Sequence, residues 1–130
     1  GFEELIHGVD LLVISHGNCL KYCYEAANEI NNEDKSNPIA LLNISSIDPL
    51  NSKVFQIINN YNNVLVVEDH KQYGSLHDRL CQLDYLLHNK KNIKCKNLGN
   101  NFFKPLPIND LLDYEGFSKD KLKKLFMDNI

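Results

Sequence analysis

The sequence predicts one α/β domain in which a mostly parallel sheet lies between two layers of helices. Short apolar runs of strand length alternate along the chain with stretches whose apolar residues recur at helical intervals. The runs are almost uninterrupted, which is typical of strands buried on both faces. The chain has 130 residues, of which 43% are hydrophobic and 24% charged, as in an ordinary globular domain. These observations together predict a three-layer α/β/α sandwich.

Five segments are predicted as strands. Four are apolar runs, whereas the segment at the amino end alternates apolar and polar residues, which is typical of an edge strand. The predicted strands are residues 2–7 at the edge, then 10–15, 38–44, 64–68 and 93–98.

Each predicted helix has an apolar face, and four of the five also have a start signal. Asn18 is the expected N-cap of the first helix, Asp48 with Pro49 starts the second, Ser75 caps the third and Ser118 caps the last. The apolar faces are Leu20, Cys23, Ala27 and Ile30; Leu50, Val54, Ile57, Ile58 and Tyr61; Leu76, Leu80, Leu83 and Leu87; and those of the short segments 108–112 and 121–127.

Composition and charge exclude several classes of protein. The net charge is −3, so the chain lacks the basic surplus that nucleic-acid binding usually needs. No apolar run approaches the ~18–20 residues of a membrane helix. The first ten residues show no signal-peptide pattern. We therefore expect no nucleic-acid or membrane partner and a cytoplasmic location, with an organelle as the open alternative.

The four cysteines are expected to be reduced and buried, because they lie within or beside predicted elements. Cys19 and Cys23 share one helix face near His16. A structural zinc site needs four ligands, and no second pair with suitable spacing exists. Small buried hydrophobic residues are the better interpretation of this pair.

Other polar groups also receive structural interpretations. His16-Gly17-Asn18 could offer backbone N–H groups at a helix start, but without a G-x-G-x-x-G motif a plain turn is favoured. His77 and His88 are placed on polar helix faces without a role. A basic cluster near the carboxyl end is interpreted as a solvated helix face; it comprises Lys119, Lys121, Lys123 and Lys124.

Five short motifs, in order, resemble those of the transketolase C-terminal domain. They are GVDLLVISHGN at 8–18, SIDPLN at 46–51, VLVVEDH at 64–70, YGSL at 73–76 and LLDYEGF at 111–117. Ala26 and Ala27 also match the adjacent alanines of the family's first helix. This domain occurs in thiamine-diphosphate enzymes, and the third and fifth motifs look closest to transketolase and deoxyxylulose-phosphate synthase. Departures from the family pattern occur at Asn51, Asp69 and Tyr73.

The resemblance implies a five-stranded sheet of order 1-3-2-4-5 with the first strand antiparallel. It implies that residues 1–130 form one domain and that the cofactor-binding domains lie outside this chain. The complete enzyme would then hold thiamine diphosphate and Mg²⁺, whereas this chain binds no cofactor or metal. Its partners would be those cofactor-binding domains and, in a homodimer, a second subunit.

The implied sheet order also predicts where polar residues meet. In open α/β sheets, ligands bind at the carboxyl ends of strands where the strand order reverses, here between the second and fourth strands. The candidate interface residues at this switch point are Ser15, His16, Gly17, Glu68, Asp69, His70, Tyr73 and Gly74. Glu68 and His70 are a candidate acid/base or docking pair. We expect these residues to dock other domains and to perform no catalysis, and we expect His16 and residues 69–74 to be largely exposed in this chain.

Three functions stay open at this point. The first is a docking domain of an enzyme that transfers two-carbon ketol units between sugar phosphates. The second is the same domain of deoxyxylulose-phosphate synthase or of a 2-oxoacid dehydrogenase beta subunit. The third, of another class, is a stand-alone α/β interaction module. In the first two, this chain alone is expected to be inactive.

Overall fold

The fold is described from a computed structural model, which describes residues 1–45, 52–69, 75–86, 91–97 and 116–130. The strands are β1 (Phe2–Ile6), β2 (Leu11–Ser15), β3 (Ile39–Ile44), β4 (Asn63–Val67) and β5 (Ile93–Lys96). The helices are α1 (Leu20–Glu33), α2 (Lys53–Ile58), α3 (Leu76–Leu86) and α4 (Lys119–Asp128), and a 3₁₀ turn at Gly17–Cys19 precedes α1.

The strands form one sheet of order β1-β3-β2-β4-β5. β1 runs antiparallel to β3, and all other neighbours are parallel. In the centre of the sheet, Val13 of β2 pairs with Leu41 of β3 and with Leu65 of β4. The predicted topology, including its antiparallel first strand, is confirmed.

Helices cover both faces of this sheet. Successive side chains of a strand point to opposite faces, so Leu11 and Val13 join one core while Leu12 and Ile14 join the other. The first core contains buried residues of α1 and α4, and the second contains those of α2 and α3. Every residue of β2 is buried for this reason. The three-layer prediction is confirmed.

Two of the predicted N-caps are confirmed by their hydrogen bonds. The Ser118 side-chain oxygen accepts from the Lys121 backbone N–H at 3.4 Å. The Ser75 hydroxyl oxygen accepts from the Asp78 backbone N–H at 3.1 Å. Each bond satisfies a first-turn donor that has no partner within its own helix.

The predicted cap at Asn18 is wrong. Asn18 lies inside the 3₁₀ turn, and its side-chain amide donates to the Asp69 carboxylate at 3.1 Å. The 3₁₀ turn begins at Gly17, whose φ is +70°, with His16 as its N-cap, and α1 follows with Cys19 as its N-cap.

The second helix is described only from Lys53 to Ile58. It ends before Tyr61, whose hydroxyl instead donates to the Gly8 carbonyl oxygen at 3.1 Å. The predicted start at Asp48 and Pro49 lies outside the described residues. So do Leu50, Leu87, His88 and the predicted helix at 108–112.

The basic cluster is not simply a solvated face. Lys119 Nζ lies 2.8 Å from a Glu29 carboxylate oxygen, and Lys123 Nζ lies 2.7 Å from Glu33. α4 packs along α1, which brings these lysines to the carboxylates of α1. Ion pairs this exposed contribute little to stability, so the buried side chains of α4 hold the two helices together.

None of the helices in the described segments is both long enough and apolar enough to cross a membrane.

Candidate functional site

The carboxyl ends of β2 and β4 meet at the predicted switch point. Ser15 of β2 is paired in register with Val67 of β4, and the Ser15 hydroxyl donates to the Val67 carbonyl oxygen at 2.8 Å. His16 and Glu68 come next in the chain after these two residues. The sheet therefore brings together side chains that are 52 residues apart in sequence.

Glu68 is the centre of this site. Its side chain is fully buried. One carboxylate oxygen, Oε2, lies 3.1 Å from His16 Nε2 and accepts from the Leu76 backbone N–H at 2.9 Å. The other, Oε1, accepts from the His77 backbone N–H at 3.2 Å. The carboxylate thus caps the amino end of α3, where the helix dipole favours negative charge.

The two side chains shift each other's ionisation. Burial raises the pKa of Glu68, but the bonds from His16, from the His77 and Leu76 backbone N–H groups and from Ser75 outweigh it, so the pKa lies below its ordinary 4.5. The hydrogen bond to Glu68 raises the pKa of His16 above 6.5, against the opposing effect of burial. The pair is therefore a charged imidazolium–carboxylate bridge at mildly acidic pH.

This bridge predicts how stability depends on pH. The raised His16 pKa contributes stability that is fully present below pH 6.5 and is lost as pH rises through the folded-state pKa. The lowered Glu68 pKa contributes stability that is present above pH 4.5 and is lost as pH falls through its folded-state pKa. We expect this pair's contribution to the free energy of unfolding to be greatest between these two values.

Urea unfolding of the chain and of His16→Asn across pH 4–9 measures this contribution. The variant should lack the decline of stability on the alkaline side that His16 causes. Parallel pH profiles for the two proteins would contradict the bridge.

A second contact joins the same two strand ends. The Asn18 side-chain amide donates to Asp69 Oδ2, and a Cβ added at Gly17 would lie 3.2 Å from Asp69 Oδ1. Gly17 has positive φ as well, so this position suits glycine for two reasons. Asn18 and Asp69 stand at the outer rim of the edge, above the buried Glu68.

Two cysteines lie directly beneath the edge. Cys19 and Cys23 are buried, and their sulfur atoms lie 3.4 Å and 3.7 Å from the Ser15 hydroxyl oxygen. Burial raises the pKa of Cys23 well above its ordinary value. The prediction of buried free thiols is confirmed for this pair, but Cys81 is half-buried and Cys95 is exposed on the edge strand β5. In the described ranges, no three His, Cys, Asp or Glu side chains are grouped closely enough to hold a metal ion.

The expected exposure is wrong for His16, and the neighbouring Ser15 and Glu68 are buried with it. Ser15 and Glu68 are 0% exposed, and the His16 side chain is 13% exposed. Their polar groups find partners inside the protein: Ser15 donates to the Val67 carbonyl oxygen, whereas Glu68 bonds to His16 and to the first backbone N–H groups of α3. Gly17 is exposed, and Asp69 is half-buried.

The remaining candidates at this edge are His70, Tyr73 and Gly74, and all three lie outside the described residues. The proposed pairing of Glu68 with His70 therefore stays a prediction. The described partner of Glu68 is His16, and both carboxylate oxygens already accept hydrogen bonds.

His77 has a role that was not predicted. Besides its backbone bond to Glu68, its Nε2 lies 2.7 Å from the Ile93 carbonyl oxygen and 3.3 Å from Cys81 Sγ. The ring therefore ties α3 to β5. The sequence holds no signal for this contact, because the distance between His77 and Ile93 depends on how the helix packs on the sheet.

These features define a class of protein. It is an α/β domain with an antiparallel edge strand and with a buried bridge between His16 and Glu68, called the polar clamp below, at the carboxyl edge of its sheet. The chain belongs to the family described as "Transketolase, C-terminal domain", whose model matches residues 3–122. The predicted family is confirmed. No curated protein sequence matches the chain.

Solved transketolase structures share this fold. A split-gene transketolase described as an inactive beta4 tetramer has a TM-score of 0.78 and 18% identity, over 99% of this chain and 42% of that chain. Transketolase from Campylobacter jejuni has a TM-score of 0.62 and 16% identity, over 99% and 18%. A transketolase mutant from Pichia stipitis has a TM-score of 0.67 and 11% identity, over 99% and 18%. This chain therefore spans less than half the length of each of these structures.

The described segments hold no group of acidic side chains suited to the Mg²⁺ that the resemblance implies for the complete enzyme. Mg²⁺ takes oxygen ligands. The buried carboxylate of the site, Glu68, accepts bonds from His16 and from α3, and no other acidic group in the described segments completes a metal site. The site is built to hold strand ends and a helix start in place.

Proposed function

We propose that this chain is the C-terminal structural and docking domain of a transketolase-like enzyme that transfers two-carbon ketol units between sugar phosphates. Membership in the transketolase C-terminal family over residues 3–122 is the observation that carries this proposal. The domain acts with thiamine diphosphate and Mg²⁺ that are held by other domains of the enzyme. We place the enzyme in the cytoplasm and this chain, by itself, outside catalysis.

The polar clamp supports a docking role for the carboxyl edge. A buried charged bridge with additional hydrogen bonds holds a single geometry, because leaving any member unpaired is unfavourable. The bridge between His16 and Glu68 thereby fixes the rim formed by Gly17, Asn18 and Asp69. A rigid polar rim of this kind suits an interface between domains, which is more polar than a core.

Cofactor binding tests the proposal that other domains of the enzyme, and not this chain, hold thiamine diphosphate. Titration calorimetry of the purified chain with thiamine diphosphate and Mg²⁺ should give no binding heat. The native assembly, purified through a tag on this chain, should bind the cofactor stoichiometrically. Tight stoichiometric binding by the chain alone would contradict the proposal.

The same native assembly distinguishes the alternative reactions. Two-carbon transfer from a ketose phosphate to an aldose phosphate is the proposed activity. Condensation of pyruvate with glyceraldehyde 3-phosphate would indicate the synthase instead, and 2-oxoacid decarboxylation would indicate a dehydrogenase beta subunit. An assembly without thiamine diphosphate and without these activities would favour a stand-alone interaction module.

A further inference from the structure

A groove of about 420 Å³ lies where α1 and α4 end. α1 begins after the carboxyl end of β2 and ends just before β3 begins, so its last turn lies at the amino edge of the sheet. Lys123 Nζ lies 2.7 Å from Glu33 near that end, and the final turn of α4 continues past this contact. The groove is the corner between the two helix ends, at the edge opposite the polar clamp.

The apolar part of this groove is exposed. Met127 and Ile130 line it and are 56% and 46% exposed, beside Ile30, which is buried. Apolar side chains that cluster on a surface, unlike single scattered ones, mark a place that another molecule covers. Methionine is frequent at such places because its flexible side chain adapts to different apolar partners.

The groove is also negatively charged. Among its described lining residues, the charged ones are Glu33 and Asp34, and both are acidic. Lys123 pairs with one Glu33 oxygen, whereas Asp34 Oδ1 accepts from the Ser36 backbone N–H at 3.0 Å and from the Ser36 hydroxyl at 2.8 Å. The bonds from Ser36 lower the pKa of Asp34, so its carboxylate stays charged at mildly acidic pH.

The two helices add to this charge. α1 has 14 residues and α4 has 10, and both end at the groove. The carboxyl end of a helix carries about half a negative charge, because its last carbonyl groups have no partner within the helix. The negative potential of the groove therefore has two independent sources. An acidic partner would be repelled by both, whereas a basic partner would compensate both.

We propose that this groove binds a basic amphipathic helix of another protein, with an apolar side chain between Met127 and Ile130 and a lysine or arginine beside Asp34. A helix that binds in a groove presents apolar side chains at helical intervals, and the charges beside them select the partner. This surface lies at the opposite edge from the one proposed to dock the cofactor-binding domains. Either proposal can therefore fail while the other stands.

Fluorescence anisotropy with the purified chain and a labelled peptide tests the proposal. The probe is a helical peptide of about 15 residues that contains only lysine and leucine, with leucine at helical intervals. In the control probe, glutamate replaces every lysine. We expect a dissociation constant on the order of 10–100 µM for the lysine probe and at least about tenfold weaker binding of the glutamate probe. Raising the salt from about 0.05 M to about 0.5 M should weaken binding of the lysine probe at least about threefold.

Two substitutions at exposed positions separate the apolar from the charged contribution. Met127→Gln should weaken binding of the lysine probe about fivefold, and Asp34→Asn, which keeps an acceptor oxygen for Ser36, about threefold. Leu86→Gln and Glu3→Gln are the matched controls and should leave binding unchanged. Leu86 is 66% exposed at the carboxyl end of α3, and Glu3 is exposed on β1. Thermal unfolding curves will show that all variants fold alike.

A lysine probe that does not bind at about 500 µM of the chain overturns the proposal. Equal binding of the two probes overturns it as well. So do control variants that weaken binding as much as Met127→Gln and Asp34→Asn, because the probe would then bind elsewhere on the chain. Self-association of the chain that Met127→Gln abolishes would assign the groove to a second copy instead.

Discussion

Replacing Glu68 with alanine is expected to lower the free energy of unfolding by about 3 kcal/mol. The change removes a fully buried carboxylate that bonds to His16 and to the backbone N–H groups of Leu76 and His77. The N–H groups would lose partners at the amino end of α3, and His16 would lose its counter-charge. Three elements, β2, β4 and α3, would be loosened together.

Two further variants complete this test: Glu68→Gln removes the charge of the carboxylate but keeps its shape, and Glu3→Ala is a control. Glu68→Gln keeps one acceptor oxygen and should be about 2 kcal/mol less stable than wild type, because an amide NH₂ would face backbone donors. Glu3→Ala, on the exposed edge strand, is the control for losing a glutamate and should change stability by less than about 0.5 kcal/mol. Urea unfolding at pH 6 measures all three. A Glu68→Ala effect as small as that of Glu3→Ala would disprove the clamp.

Gly8→Ala should destabilise the chain by about 3 kcal/mol or prevent folding. A Cβ at this position would lie 2.2 Å from the Ile39 carbonyl carbon and 2.5 Å from the Ala40 backbone nitrogen. These are backbone atoms of β3, which is paired on both sides and cannot move without breaking the sheet. Close backbone approach, rather than a special φ angle, therefore requires glycine here.

Gly1→Ala is the control, since its Cβ would make only an ordinary contact of 3.8 Å with Ser45. Its midpoint of thermal unfolding should match that of wild type. Equal midpoints for Gly8→Ala and Gly1→Ala would mean that the backbone at Gly8 lies farther from β3 than described.

The strands were predictable because a strand buried on both faces needs a nearly uninterrupted run of apolar residues, and such a run is visible in the sequence. β2 was predicted at 10–15 and runs from Leu11 to Ser15; β4 was predicted at 64–68 and runs from Asn63 to Val67. The helix caps Ser75 and Ser118 were equally local, since each bonds within its own first turn. The strand order and the antiparallel first strand came from the family resemblance, because apolar runs do not state which strands pair.

The content of the site was less predictable. The sequence predicted that Ser15, His16 and Glu68 meet, but it placed His16 in an exposed position. The partners of the Glu68 carboxylate depend on where α3 begins relative to the sheet, which the sequence does not state. Glu68 was expected to take part in docking, but its oxygens already accept bonds from the backbone N–H groups of Leu76 and His77. The ion pairs of Lys119 and Lys123 were missed for the same reason, since their partners lie on a helix about ninety residues earlier.

The central claim is that this family member works as one part of a two-carbon transferring enzyme. The most direct measurement is the rate of ketol transfer from a ketose phosphate to an aldose phosphate, in the native assembly purified through a tag on this chain. We predict activity that requires thiamine diphosphate and Mg²⁺, that the chain alone lacks and that Glu68→Ala in the assembly abolishes, whereas Glu3→Ala leaves it intact. An assembly that binds thiamine diphosphate yet transfers no two-carbon unit would contradict the account.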